Sequence, residues 1–528
     1  MSMWLSSILL VCIPLSLATA AWLFGRTHTK NAGKSLLHVA LAMLMLFVGA
    51  LIIQGLSAQP LAEPRYISHA NLNMLMLGLV LFMAVILIAF SRNYMAGQAR
   101  INLYWRWLLN TLAAVSLVVI SNHLVLFWLG WLGISLALHQ LLTYYPERPR
   151  AALAAHKKFL LARIAETSLL IAIVLLYQQH HTFFISDLVT HFNQVALNEQ
   201  WQLSLAEQIA AVLIALTALI KCAQLPVHGW LIQVVEAPTP VSALLHAGVI
   251  NLGGFLLILF APLFMQVPAA QWLVLIVAGL STVICALVMS TRISIKVRLA
   301  WSTSAQMGLM LVECALGLFE LALLHLIAHS AYKAHAFLNS GNAVYEHLQR
   351  CLAPAKVPLF SDWLMGIGVA AVSVVGVLLW LDYQGPWSMW LLLALALAML
   401  IAQRHSQSIQ ASLLPFIALT LVLLFAYSAM KYILSGLLPS ETHLALTPFS
   451  AADVWIMLLF AALFYLSCLL RFQPNRPAIQ RLSVFLFAGL YLDEWLTRLT
   501  LKVWPVRLPI RVNVKVMDLP SSTSAKEF

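Results

Sequence analysis

Apolar runs of bilayer-crossing length recur from one end of this chain to the other, and no other feature narrows its fold as much. A spanning helix needs about 20 apolar residues. Such runs lie at 4–24, 35–54, 72–91, 104–119, 124–144, 159–177, 209–223, 241–262, 272–291, 299–318, 319–344, 363–381, 387–402, 413–434 and 454–470. Fifteen runs in 528 residues leave no room for a large soluble domain. Charged residues make up 9% of the chain and mean hydropathy is +0.91, whereas soluble domains carry roughly 25% charge. A water-soluble fold is excluded, and an all-α polytopic membrane protein with about fifteen spans is expected.

The excess of 30 Lys and Arg over 18 Asp and Glu would suggest nucleic acid if the chain were soluble. Here it reports topology, and no nucleic-acid partner is expected. With the N-terminus outside, alternate connections gather 25 of the 30 basic residues on one side, from Arg26 and Lys34 to the tail that follows Arg471, as the positive-inside rule requires. Only Arg65 falls in an outer loop, while Arg163, Lys221, Lys333 and Lys431 fall within spans. Ala18-Thr19-Ala20 resembles a cleavage site, but Met1 to Ser7 carries no positive side chain, so the first span reads as a retained helix. The expected placement is a bacterial inner membrane, N-terminus outside and C-terminus cytoplasmic. Residues 474–504 mix charges with Leu, Phe and Trp, which suits an amphipathic helix on the membrane surface or against a partner, and the last ten residues look disordered. The chain divides on this reading into two N-terminal helices (1–70), a core (71–345), C-terminal helices (346–472) and an amphipathic tail (473–528).

An ionisable group inside a span costs at least a few kcal/mol and normally faces water or a partner. Those present are Arg163 and Glu166 in the sixth span, Lys221 in the seventh, Glu236 and His246 around the start of the eighth, and Glu313, His325, His329 and Lys333 in the tenth and eleventh. His325, His329 and Lys333 recur every four residues and so share one helical face. Interhelical packing hydrogen bonds are the alternative explanation of such a stripe, and the less favoured one. Pro226 follows Lys221, and Pro238 and Pro240 follow Glu236. Proline inside a span breaks or kinks the helix, and freed backbone groups survive only beside protein or a wet cavity, as in ion-coupled transporters. A Lys whose counter-charge moves can load or release a proton, and histidines can relay it. The six cysteines form no CxxC pattern and mostly lie in apolar runs, so neither a disulfide frame nor a metal site is expected. No glycine-rich phosphate loop is present.

Four ordered stretches carry a resemblance: Lys221-Cys-Ala-Gln-Leu-Pro-Val-His-Gly-Trp-Leu231, Glu236-Ala-Pro-Thr-Pro-Val-Ser-Ala-Leu-Leu-His246, Ile295-Lys-Val-Arg-Leu-Ala-Trp-Ser-Thr-Ser-Ala-Gln-Met-Gly308 and His325-Leu-Ile-Ala-His-Ser-Ala-Tyr-Lys333. They are similar to the antiporter-like membrane subunits of respiratory complex I (NuoL type) and of Mrp cation/proton antiporters, over roughly residues 70–345. The resemblance implies two inverted five-helix repeats with broken helices. It also implies Lys221 as the central proton-carrying lysine, His246 as a link, Lys296 as a lysine between half-channels, and His325, His329 and Lys333 as the onward path. Arg163 and Glu166 match the Arg and acid that follow the fifth helix.

Two departures stand out. Gly130-Trp131 is followed by Leu132, where the family usually has the glutamate that faces the central lysine; Glu166, Glu236 or a partner must replace it. The family's Gly-Phe-x-Ser-Lys-Asp motif is absent, leaving Lys431 as the one stand-in for its lysine. Together with Leu138-His-Gln-Leu-Leu-Thr-Tyr-Tyr-Pro-Glu-Arg-Pro149 and Gly489-Leu-Tyr-Leu-Asp-Glu-Trp-Leu-Thr-Arg-Leu499, these departures resemble the DabB type, membrane subunits of two-component bacterial inorganic carbon accumulators. That resemblance implies a DabA-like soluble zinc partner, similar to carbonic anhydrase, on the cytoplasmic face. It also implies a gradient of H+ or Na+ that drives CO2 hydration in one direction. This chain would then be a transporter subunit rather than an enzyme, with no cofactor of its own. A subunit of an Mrp antiporter or of complex I is the alternative on the same fold, and a passive membrane anchor for a cytosolic enzyme is the alternative of another class.

Overall fold

A computed structural model describes residues 2–26, 32–56, 65–197, 202–352, 360–380, 383, 385–402 and 447–506, with short pieces between 418 and 436. Its helices, in chain order, are α1 (Ser2–Phe24), α2 (Ala32–Leu56), α3 (Asn71–Tyr94), α4 (Ile101–Ile120), α5 (Leu124–Leu142), α6 (Pro149–His180), α7 (Ile185–Leu197), α8 (Leu205–Lys221), α9 (Gly229–Gln233), α10 (Thr239–Ala247), α11 (Leu252–Leu259), α12 (Ala261–Phe264), α13 (Pro268–Ser290), α14 (Ile295–Ala315), α15 (Phe319–Leu338), α16 (Ala343–Leu352), α17 (Phe360–Trp380), α18 (Ser388–Ala402), α19 (Ala451–Phe472), α20 (Pro477–Phe487) and α21 (Glu494–Val503). Extended pairing among the described residues is confined to two isolated bridges, Ile67 with Ser121 and His123 with Phe184.

The expected all-α membrane architecture is present. Ten of the described helices are long and apolar enough to cross a bilayer. Four further apolar runs coincide with helices that are shorter or more polar: α8, α14, α15 and α18. The run at 413–434 is described only in short helical pieces, and Lys431 and the last ten residues lie outside the described residues. Most of the buried side chains belong to one apolar core that runs from α1 through α15. Within it α8 packs on α6, α13 and α11, and α10 packs on α15, so the charged side chains of α6, α8, α10 and α15 meet inside protein.

Two boundaries differ from the sequence reading. Pro149 lies in the first turn of α6, where its missing N–H costs nothing, so the helix begins ten residues before the apolar run. Lys157 and Lys158, expected in a cytoplasmic loop, are buried in that helix instead. Pro240 likewise lies in the first turn of α10, with Pro238 capping it, so these two prolines start a helix where a break was expected. The break in that span comes after His246, at Gly248 and the 3-10 turn Val249–Asn251.

Pro226 does lie in a break, between α8 and α9. The backbone groups it frees are satisfied by neighbouring side chains, as buried backbone requires. Gln224 Nε2 donates to Cys222 O at 2.7 Å and Ser304 O at 3.2 Å, Ser304 Oγ donates to Ala223 O at 2.7 Å, and Leu225 N donates to Ser281 Oγ at 2.9 Å. At the second break, Asn251 Nδ2 bonds Ala247 O at 3.1 Å and Ser330 Oγ at 2.6 Å, tying the turn to α15.

The amphipathic tail forms α20 and α21 and docks on the chain's own α6 and α9. Lys157 Nζ bonds Asp493 Oδ2 at 2.5 Å and Thr497 Oγ1 at 2.6 Å, and Gln233 Nε2 donates to Asp493 at 3.0 Å. The Trp504 indole stacks on His156 with ring centroids 3.8 Å apart. Gly229 is required here, because a Cβ at that position would collide with the Asp493 carboxylate. Burial holds the Asp493 carboxyl above its usual pKa, against the downward pull of Lys157.

Candidate functional site

The break after Lys221 makes that residue the last of α8, where unpaired carbonyls favour a cation. Its ammonium bonds Glu166 Oε1 on α6 at 3.1 Å and lies 4.9 Å from the centre of the Trp131 ring. One turn earlier on α6, Arg163 Nη2 is 2.6 Å from Glu166 Oε2 and also donates to Ser135 Oγ on α5. Trp128 Nε1 donates to the Glu166 carbonyl at 2.8 Å. Glu166 is therefore the counter-charge to Lys221 that Leu132 does not supply. Glu236 is not part of this pair; the Glu236 carbonyl accepts from Arg148 Nη1 at 3.1 Å.

A third cation belongs to this group and was missed at the sequence level. Lys158 is buried, its Nζ donates to Ser135 O at 2.9 Å, and it lies within electrostatic reach of Lys221 and Glu166. Its spacing gave a signal: residues 158, 162 and 166 are four apart, so Lys158 and Glu166 share one face of α6. A cavity of about 30 Å³ lies between Lys158, Lys221, Ser135, Trp230, Leu245 and Val249, enough for one or two waters. Leu245 and Val249 flank His246 and the second break, so the cavity reaches from the first charged group to the element that carries the next.

The second group lines α15. Lys333 is fully buried and donates to Ser302 Oγ at 2.7 Å and Leu299 O at 3.2 Å, both on α14. His325 Nδ1 lies 3.1 Å from Glu313 Oε2 and 3.2 Å from Oε1, again across to α14. Between them sits His329, within electrostatic reach of His325, Lys333 and His246. His246 stacks on Phe337, ring centroids 4.3 Å apart. Both imidazoles are buried, and neither ring nitrogen of either one has a hydrogen-bond partner among the described residues. An unpaired buried polar group costs about 1–3 kcal/mol, a cost that bound water at these nitrogens would relieve.

Lys296 stands apart from this stripe. It lies in the first turn of α14 and donates to Thr239 Oγ1 at 2.7 Å, and that hydroxyl donates to Tyr94 at 3.0 Å. Thr239 begins α10 and His246 is two turns further along it, about 10 Å away by helical rise. Of the residues singled out from sequence, the structure thus assembles Arg163, Glu166 and Lys221 into one group. His246, Glu313, His325, His329 and Lys333 form a second, and Lys296 sits at the end of the helices that carry it. Pro226 marks the break behind Lys221, whereas Pro238 and Pro240 mark helix starts.

Residues 121–359, which contain both charged groups, match the Proton_antipo_M family, described as NADH:quinone oxidoreductase/Mrp antiporter, TM. The chain is 50% identical over 459 residues to the probable inorganic carbon transporter subunit DabB of Hydrogenovibrio crunogenus, covering 86% of this chain and 87% of that one. It is 34% identical over 511 residues to the probable subunit DabB2 of Halothiobacillus neapolitanus, covering 93% and 87%. NADH-quinone oxidoreductase subunit L of Rhodobacter capsulatus is 31% identical over 275 residues, 50% of this chain and 38% of that one. The fold resembles a chain of the Mrp complex from Dietzia sp. DQ12-45-1b, with a TM-score of 0.58 and 20% identity, over 94% of this chain and 55% of that chain. The chain is a multi-pass membrane protein of the DabB family of probable inorganic carbon transporter subunits, within the wider family of NADH:quinone oxidoreductase and Mrp antiporter membrane subunits.

Proposed function

We propose that this chain passes protons through the membrane and so energises a zinc carbonic-anhydrase-like partner, DabA-like, that accumulates inorganic carbon. The N-terminus is outside and the C-terminus is in the cytoplasm of a bacterial inner membrane. The observation that carries the reading is the pair His246 and His329: two buried imidazoles near Lys333 whose ring nitrogens have no hydrogen-bond partner among the described residues. Water joined to those nitrogens would satisfy them and complete a relay. Lys221 is held at the head of the relay by Glu166, and separation of that pair would alter the proton affinity of the lysine. Lys333, bonded to hydroxyl and carbonyl oxygens without a carboxylate, would gain and lose its charge more readily.

The tail is the proposed contact with the partner. Docked by Lys157, its helices still expose Val484, Phe485, Tyr491, Trp495 and Leu499. Zinc on the partner would lower the pKa of a bound water toward neutrality and so supply the hydration chemistry. This chain contributes the charge movement: Lys157 and Lys158 are adjacent on α6, the first holding the tail through Asp493 and the second facing Lys221. A proton arriving at Lys221 therefore changes the field on the helix that anchors the partner's dock.

Purification of the native complex, with carbon uptake assayed with and without an uncoupler, tests this. One large zinc protein bound to the chain, and uptake abolished by the uncoupler, are expected. Many small membrane subunits would favour an antiporter or complex I assembly, and uptake indifferent to the uncoupler would favour a passive anchor.

A further inference from the structure

At the end of α6 farthest from the tail, His180, His191 and Glu207 converge from three elements. His180 is in the last turn of α6, His191 is on α7 and Glu207 is in the first turn of α8. One ligand-type atom from each lies within 4.8 Å of the others. We propose that these three residues bind a divalent transition-metal ion of the zinc class, independent of the ion path and of the partner's zinc.

The donor set suits such an ion. Two imidazoles and one carboxylate, with no thiolate nearby, select borderline cations of the Zn2+, Ni2+ and Cu2+ group over Mg2+ and Ca2+. His180 Nε2 and Glu207 Oε1 are 2.9 Å apart, an ion-pair contact when the imidazole is protonated. Ligands about 2.0–2.2 Å from zinc and 90–110° apart stand about 3 Å from one another. That separation also suits two ligands on one ion. The His180 and His191 rings are tilted by 58° with centroids 4.5 Å apart, so they do not stack, and the set closes on an ion when His191 turns toward the other two ligands.

The surroundings hold the ligands in place. Ser204 N donates to Glu207 Oε2 at 2.6 Å and Glu207 N to Ser204 Oγ at 3.3 Å, a reciprocal cap on α8. It fixes the carboxylate and leaves Oε1 toward His180, as outer partners of metal ligands do. Phe192, beside His191, is buried against the core and its carbonyl accepts from Gln266 Nε2 at 2.9 Å. An ion here would clamp the ends of α6 and α8, the two helices that hold Glu166 against Lys221. Imidazole ligates a metal only in its unprotonated form, so acid would release the ion.

Cobalt titration of the full-length chain in detergent, after chelator treatment and at near-neutral pH, tests the site. One saturable equivalent is expected, with visible bands of a nitrogen and oxygen environment and no sulfur charge-transfer band. H180A and H191A should each weaken binding about 100-fold or more, and E207Q, which can still cap α8, about 10- to 100-fold. Circular dichroism confirms that the variants remain folded. Binding that is unchanged in H191A and E207Q, that shows a sulfur band, or that fails to saturate below millimolar cobalt overturns the proposal.

Discussion

The two charged groups are built on opposite plans. Around Glu166 each ionic side chain has a bonded partner: Lys221 and Arg163 on the carboxylate, Lys158 and Arg163 on Ser135. Along α15 only the ends of the charged stripe are hydrogen-bonded, His325 to Glu313 and Lys333 to Ser302, while His329 and the adjacent His246 have no hydrogen-bond partner among the described residues. The first plan suits a gate, because a buried ion pair is costly to part. The second suits conduction, because a group with no fixed partner can accept and donate in turn.

Breaking the first group should have the largest effect. Glu166→Ala leaves three buried or half-buried cations without their shared carboxylate, and removal of one partner from a buried pair costs about 3–5 kcal/mol. Thermal unfolding in detergent should show a loss of that order together with loss of carbon uptake. The double substitution Glu166→Leu with Lys221→Met should recover the part of the stability that the Lys221 pair accounts for, with Arg163 and Lys158 still lacking the carboxylate, and none of the uptake. If uptake returns as well, the pair is packing and not a gate.

The second group should separate function from stability. His329→Leu replaces an unpaired buried imidazole by an apolar side chain, which can be neutral or stabilising. Unfolding should shift by less than about 1 kcal/mol while uptake falls tenfold or more. A stability loss equal to that of the Glu166 variant would erase the contrast between the groups. Asp493→Asn should have the smallest effect on the chain itself. It keeps a hydrogen bond to Lys157 but weakens a charge-assisted one, about 1 kcal/mol, and it should be seen as weaker retention of the partner, with little change in unfolding.

Much of this was legible in the sequence, and the misses have physical causes. Apolar periodicity gave the helices, and the four-residue spacing of His325, His329 and Lys333 gave their shared face. Lys157 and Lys158 were placed outside the membrane because hydropathy counts charge and cannot register that Asp493, 336 residues away in the chain, pairs with the first of them. Pro238 and Pro240 were read as breaks because proline both ends and begins helices, and which it does depends on the residues that follow. The true second break at Gly248 carries no proline signal at all. Glu166 as the replacement for the glutamate missing at Leu132 was one of two internal candidates, and only the packing of α6 on α8 selects it over Glu236. No sequence signal marks His180, His191 and Glu207, because their spacing is irregular and three separate elements must fold before they meet.

The most direct test is inorganic carbon uptake by cells that carry the native partner and express Lys221→Ala or Lys333→Ala at wild-type levels in the membrane. Relay of charge through both groups predicts that each variant loses energy-dependent uptake and growth at air levels of CO2. Wild-type uptake in both variants would contradict the account.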